Sequence, residues 1–346
     1  MPIATPVQYQ AMIDAARTAG FAYPAINVTS SQTLNAALRG LAESESDGIV
    51  QVTTSAATYL AGPAADMAAG ARALAEYAHI VAADAPIFIG LHTDHCTPEH
   101  VDEFIKPLLQ VSRGRRERGL APLFNSHMFD GSQLPLSENL RRAAELLHEA
   151  SELGILLELE IGTVGGEEDG IDHTGVPSER LYTTPADALA VADALGTGQR
   201  GRYLLAATFG NVHGHYAAGN VKLRPELLGE LQRTLETRPG ETGRFDFVFH
   251  GGSGSSVDEI RRAVANGVVK LNVDTDMQYA FSSAIESHFG GGLETTRRDG
   301  VDKRLYDPRG WGRKAERAMA TRVVEACEVL GSRGRSIACD AASLVA

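Results

Sequence analysis

Four histidines each close, or just follow, a short apolar run. They are His95 in HTDHC, His127 in NSHMFD, His213 in GNVHG and His250 in FHGGSG. The preceding runs, PIFIGL, APLF, YLLAATF and FDFVF, read as buried strands. Neutral imidazole is a favoured zinc ligand, and a catalytic zinc takes three protein ligands while leaving one position open. Strands that end together in space can supply such ligands from distant parts of a chain. Asp94, Asp130 and Glu160 fall at the same strand ends. The pattern points to a metal enzyme.

The elements needed to gather these residues are legible. Strands are expected at 21–26, 48–52, 87–92, 122–127, 155–161, 203–209, 245–250 and 268–273, separated by segments of helical apolar periodicity. Helix starts read at Ser31, Pro98, Ser137 and Pro185. Eight β–α units in one chain predict an α/β fold, a (β/α)8 TIM barrel, as a single domain over 1–346 with 301–346 as a C-terminal helical extension. No GxGxxG follows the first strand, which counts against a dinucleotide fold. In a barrel the active site lies at the C-terminal rim of the strands. Asn27, Thr53, Asp94, His95, Asp130, Glu160, His213, His250, Asn272 and Asp274 all fall on that rim.

Two loops bear on the ligand. HGGSGSS follows the seventh strand and NVDTD the eighth, where barrels commonly build a phosphate site from backbone N–H groups and a helix N-terminus. Gly251, Gly252 and Gly254 permit close backbone approach, and Ser253 adds a hydroxyl. The loop GTVGGEEDGIDHTG over 162–175 is long, Gly-rich and acidic. Gly165 and Gly166 read there as hinges, so that a carboxylate could be delivered on closure.

Composition narrows the classes. The 346 residues carry a net charge of −12, and the one dense basic run, RGRRER at 113–118, reads as a solvated face. Phosphate-backbone binding needs a positive field that this chain lacks, so no nucleic-acid partner is expected. No apolar stretch approaches the ~18 residues of a membrane span, and MPIATPVQYQ has no secretion signal. Cys96, Cys327 and Cys339 form no CxxC pair and no even framework, which fits a reducing cytoplasm. Cys96, beside His95, reads as a plain buried thiol.

The chain resembles the class II, metal-dependent fructose-bisphosphate aldolases of the long-loop subgroup. The resemblance is carried nearly end to end by FAYPAINVTSS, DGIVQ, LHTDHC, PLFNSHMFDGS, LELEIGTVGGEEDG, YLLAATFGNVHGHY, GNVKLRPELL, FVFHGGSGS, GVVKLNVDTDMQYAF and YDPRGW. It implies catalytic zinc on His95, His213 and His250, which leaves His127 a supporting or structural residue. Asp130 and Glu160 would hold a second divalent position, and a monovalent cation (K+ or Na+) would sit near Gly214 and Ser253. Asp94 would be the acid/base at the cleaved bond, and Glu168 the loop carboxylate that moves a proton on dihydroxyacetone phosphate. Asn27, Thr53, Gly214, Gly251, Gly252, Ser253, Asn272, Val273, Asp274 and Thr275 would line the substrate. Arg313 would reach the far phosphate from a neighbouring subunit of a homo-oligomer, a dimer or tetramer. The implied reaction is reversible cleavage of fructose 1,6-bisphosphate in glycolysis and gluconeogenesis. Thr53-Thr54-Ser55-Ala56 departs from the family's Ser-(Asn/Thr)-Gly-Gly, which leaves tagatose or sedoheptulose bisphosphate as alternative substrates.

The chemistry agrees with that role. Breaking a C–C bond beside a carbonyl leaves a carbanion, and a Lewis acid on the neighbouring oxygens provides the electron sink. A Schiff-base aldolase would use lysine instead. Of the five lysines only Lys270 lies in a strand, in phase with Asn272 as Glu158 is with Glu160, which predicts a buried Glu158–Lys270 pair. A zinc hydrolase would open with an HxH pair, and AYPAIN has none. A metal-stabilised binding scaffold would not need both Asp94 and Glu168.

Overall fold

The computed structural model describes residues 2–162, 164–168, 171–172, 181–213, 222–237, 243–252, 254–290 and 303–338; the side chains of 165–168, 171–172, 212–213 and 303–304 lie outside that description. Eight parallel strands close a barrel in the order 1-8-7-6-5-4-3-2. They are Tyr23–Asn27, Gly48–Thr53, Ile89–Cys96, Ser126–Phe129, Leu156–Ile161, Tyr203–Ala207, Phe247–Phe249 and Val268–Val273. All eight overlap the expected segments, and the fold is the (β/α)8 barrel.

Parity along the strands separates two environments. One set of side chains packs outward on the helical ring in the main apolar core, among them Leu157, Leu159, Phe247 and Phe249. At the N-terminal end of the barrel, Tyr23, Ala25, Ile49, Leu156, Leu204, Ala206 and Val248 form a second apolar cluster. The helix Pro6–Ala19 seals that end with Tyr9, Met12, Ile13 and Ala16, each fully buried. Its start is fixed by Thr5 and Gln8 as a reciprocal capping box with Pro6 in the first turn.

Several helix starts differ from the sequence reading by a residue or more. Ser30 and Thr184, not Ser31 and Pro185, accept the first free N–H groups. Leu136–Ser151 begins one residue before Ser137, after Pro135. Pro98 starts no regular helix: the chain turns through Thr97–Phe104, burying Phe104, and the helix begins at Ile105. Arg115 within RGRRER is buried rather than solvated, its Nη1 donating to both carboxylate oxygens of Glu76 and its Nε to the Ala121 carbonyl.

The C-terminal tail is built into the wall. Helix Pro308–Leu330 packs on Ser31–Glu43 so closely that a Cβ at Gly40 would lie 2.5 Å from Val323 Cβ and 2.6 Å from the Ala320 carbonyl oxygen. After it, Ser336 Oγ and Ile337 N donate to the buried Asp47 carboxylate at the start of the second strand, at 2.6 and 2.9 Å. Helix Thr275–Phe289, which follows the eighth strand directly, buries only Met277.

Candidate active site

The upper half of the barrel interior is polar, which a pure structural core would not tolerate without full hydrogen bonding. Asp94, on the third strand, is fully buried and receives three amides. Asn27 Nδ2 donates at 3.1 Å, Gln51 Nε2 at 2.7 Å and Asn272 Nδ2 at 3.2 Å. Their strands are the first, second and eighth, so the closed barrel itself positions this carboxylate.

His95 follows Asp94 by one residue, and neighbours in a regular strand face opposite sides. The pairing of the third and fourth strands shifts register between Thr93 and Cys96, and His95 adopts φ of 40°. This bulge with a left-handed residue turns His95 back toward the site beside Asp94. Met128 Sδ accepts the His95 amide at 3.3 Å. Cys96 returns to the outer core as a fully buried thiol, as the sequence indicates.

His95 and His250 lie side by side with ring centroids 4.8 Å apart and planes tilted by 56°. His95 Nδ1 lies 3.0 Å from Asp130 Oδ2, while His250 Nδ1 lies 3.0 Å from Glu160 Oε2 and its Nε2 2.8 Å from Glu158 Oε1. Burial disfavours a charged His250, but its hydrogen bonds to Glu158 and Glu160 outweigh that and raise it to about 9. For Asp130, burial opposes ionisation, yet the bonds from His95 and Ser132 hold it well below the usual carboxylate range.

Ligand atoms of Asp94, His95 and His250 lie within 4.8 Å of one another, as do those of His95, Asp130 and Glu160. Imidazole with carboxylate suits zinc and similar divalent ions. A third such group, His92, Asp94 and Glu158, is a poor candidate, because Lys270 Nζ sits 2.8 Å from Glu158 Oε2. That fully buried pair is the one expected from strand parity, and Lys270 also donates to Asn272 Oδ1 at 2.7 Å.

His127 belongs elsewhere. It lies against Phe124, its Nδ1 is 2.8 Å from Thr93 Oγ1, and burial pushes it down to about 3. Among the described residues no metal-capable group includes it. Thr53 caps the helix Thr54–Leu60, its hydroxyl accepting from Ala56 N at 3.1 Å. Asn272 and Val273 end the eighth strand at the rim, followed by half-buried Asp274 and exposed Thr275. Thr275–Phe289 has no side-chain cap, so its first-turn N–H groups face no competing side chain of their own helix. Gly251 and Gly254 take φ of 62° and 90°, conformations natural to glycine. Gly252 is buried against Leu271. Arg313 is exposed on Pro308–Leu330 and folds back on its own helix, donating to the Arg309 carbonyl.

The backbone of the acidic loop corrects one expectation. Gly165 and Gly166 are not free hinges: they pair in parallel with Val212 and His213, and Glu167 and Glu168 pair with Asp172 and Ile171. The segment bearing Glu168 is thereby laced to the segment bearing His213. The side chains of His213 and Glu168, and the whole of Gly214 and Ser253, lie outside the described residues.

Gln51 and His92 were missed from the sequence. Both are polar residues two positions before a rim residue, Thr53 and Asp94, and so face the same side of the strand as that residue. That alternation was the available signal.

The family model for fructose-bisphosphate aldolase class-II matches residues 7–335. The fructose-bisphosphate aldolase of Streptomyces galbus is 56% identical over 97% of this chain and 100% of its own length. That of Corynebacterium glutamicum is 52% identical over 97% and 99%. The crystal structure of fructose-bisphosphate aldolase from Campylobacter jejuni superimposes with a TM-score of 0.82 at 33% identity, covering 96% of this chain and 97% of that one. The chain belongs to the class II fructose-bisphosphate aldolase family.

Proposed function

We propose that the chain cleaves fructose 1,6-bisphosphate reversibly to dihydroxyacetone phosphate and glyceraldehyde 3-phosphate, with zinc as the catalytic metal. The observation that carries this reading is a buried carboxylate, Asp94, held by three amides beside two convergent imidazoles. The donor set fits the metal: His95 and His250 supply nitrogen, and the backbone ladder from Gly166 to His213 brings the third histidine's segment to the acidic loop. His95, His213 and His250 would hold the zinc ion, which would supply a Lewis acid for the substrate carbonyl.

The protein groups do the rest. Asp94 takes the hydroxyl proton at the bond that breaks and returns it in condensation. Asn27, Gln51 and Asn272 keep its carboxylate aimed while charge moves. Glu168 moves the proton on the dihydroxyacetone phosphate carbon. Asn27, Thr53, Gly214, Gly251, Gly252, Ser253 and the segment 272–275 contact the phosphorylated sugar. Asp130 and Glu160, with His95, would hold a second divalent ion, and Gly214 and Ser253 would hold a monovalent cation, K+ or Na+. Arg313 reaches a neighbouring site in a homo-oligomer, since its own chain leaves it at the surface. The free, buried Cys96 and Cys327 accord with a cytoplasmic setting; among the described residues no helix is long and apolar enough to cross a membrane.

One feature bears on a second sugar: the stretch after the second strand, which departs from the family's two glycines, is helical, and the Thr53 hydroxyl is engaged as its cap. Cleavage of fructose, tagatose and sedoheptulose bisphosphates, before and after chelation, tests both readings. Fructose 1,6-bisphosphate should have the highest kcat/KM, lost on chelation and restored by zinc. A preference for another sugar would replace the substrate, and chelator-resistant turnover would overturn the metal reading.

A further inference from the structure

A polar chain runs from the sealed end of the barrel to Asp94. Tyr9, on the plugging helix Pro6–Ala19, has its hydroxyl 3.1 Å from Ser126 Oγ. Ser126 Oγ lies 2.8 Å from His92 Nδ1. His92 Nε2 faces two carboxylates, 3.5 Å from Glu158 Oε2 and 3.8 Å from Asp94 Oδ1. Tyr9, Ser126, His92, Asp94 and Glu158 are each fully buried. At these distances His92 Nε2 makes no hydrogen bond among the described residues, although it is aimed into the site.

The direction of the chain follows from counting protons. Burial, and then the Lys270 charge, push His92 well below its ordinary value, so its ring is neutral, with one donor and one acceptor nitrogen. Ionised carboxylates only accept, which puts the proton on Nε2. The opposite end gives the same answer independently. Among the described residues the buried Tyr9 hydroxyl has only Ser126 to donate to. The buried Ser126 hydroxyl hydrogen then has, among the described residues, only His92 Nδ1 to donate to. Both ends therefore select one tautomer.

We propose that Tyr9 and Ser126 lock His92 as the Nε2–H tautomer, making it a positioning residue that presents a donor to the Asp94 carboxylate during turnover. The proposal rests on the reading of Asp94 as the acid/base. In the resting geometry the donor stands between Asp94 and Glu158, and a sub-ångström shift of either carboxylate completes the bond. A helix at the closed end thereby sets the hydrogen bonding of the group that moves the proton.

The direct test is 15N NMR of histidine-labelled, zinc-loaded enzyme, with His92 assigned by loss of its signal in His92→Asn. A protonated Nε2 and bare Nδ1 are expected; Nδ1–H, or a doubly protonated ring, would overturn the proposal. In Ser126→Ala the signal should shift toward mixed tautomers. Its kcat should fall about two- to tenfold, one neutral hydrogen bond's worth, with KM and zinc content kept. Ser126→Thr should restore kcat, and Tyr9→Phe should add little to Ser126→Ala. A kcat loss that tracks zinc loss or melting temperature, or no rescue by threonine, would contradict it. Because the tautomer is read without turnover, it stands or falls separately from the role of Asp94, which Asp94→Ala tests.

Discussion

The two ends of this barrel are made by the same eight strands and differ almost completely. At the N-terminal end the interior is Tyr23, Ala25, Ile49, Leu156, Leu204 and Val248, sealed by Met12 and Ile13 of the first helix. Two residues further along from Ala25, Ile49, Leu156 and Val248, the same strands carry Asn27, Gln51, Glu158 and His250. The apolar end is stabilised by burial, which needs only shape and volume. The polar end needs directed partners for the donors and acceptors it buries, and those directions constrain geometry. The sealed end gives the fold its stability; the open end spends part of it on holding charges where chemistry needs them.

Breaking the polar end should cost activity before stability. Asp94→Ala is expected to lower kcat by about two to four orders of magnitude, the range for a positioned acid/base, while zinc stays bound. Steady-state kinetics with metal analysis checks this; near-normal turnover would mean that another group moves the hydroxyl proton.

Lys270→Met probes the layer between the two ends. It strands Glu158 as a buried charge beside His250, and removing one partner of a buried pair costs about 3–5 kcal/mol. Denaturant unfolding should register that loss. Lys270→Met paired with Glu158→Gln should recover a good part of it, since no lone charge is then left. At the sealed end, Ile13→Ala should cost about 2–5 kcal/mol of stability through a cavity, and leave KM unchanged. A KM shift there would show that the two ends are less separate than their packing indicates.

Metal removal should give the polar end a pH signature of its own. Without metal, His250 is held at about 9 against an ordinary value near 6.5. Its raised value means that its contribution to stability is fully present below about pH 6.5 and is lost as pH rises toward 9. Thermal melts of metal-free protein should therefore weaken across that window. Zinc-loaded protein, whose histidine must be deprotonated to bind, should not show this step. Identical pH profiles for the two forms would argue against His250 as a ligand.

The smallest effect is expected furthest from the interior. Arg313→Ala should raise KM for the bisphosphate more than for a monophosphate analogue, because a guanidinium fork at the distant phosphate is lost. Equal effects on both substrates, or a fully active monomer, would contradict a role across subunits.

How much of this was legible in the sequence follows from the same contrast. Strand positions were readable because a buried parallel strand is a continuous apolar run, and the Glu158–Lys270 pair because side chains alternate with period two. Gln51 and His92 obey that alternation too, and could have been found. The turn of His95 could not: a register shift with φ of 40° is a property of two strands, not of HTDHC. Helix starts such as Ile105 were missed because Pro98 resembles a first-turn proline, while the burial of Phe104 decides the path. Gly165 and Gly166 looked like hinges because glycine is permissive, and only the partner strand at Val212–His213 reveals their ladder.

The central claim is that His95, His213 and His250 converge on one zinc beside Asp94. A crystal structure of the zinc-loaded protein with anomalous scattering at the zinc edge tests it most directly. One strong peak is expected, with three imidazole nitrogens at about 2.0–2.1 Å and an open fourth position facing Asp94. A peak elsewhere, or His213 turned away from it, would contradict the claim.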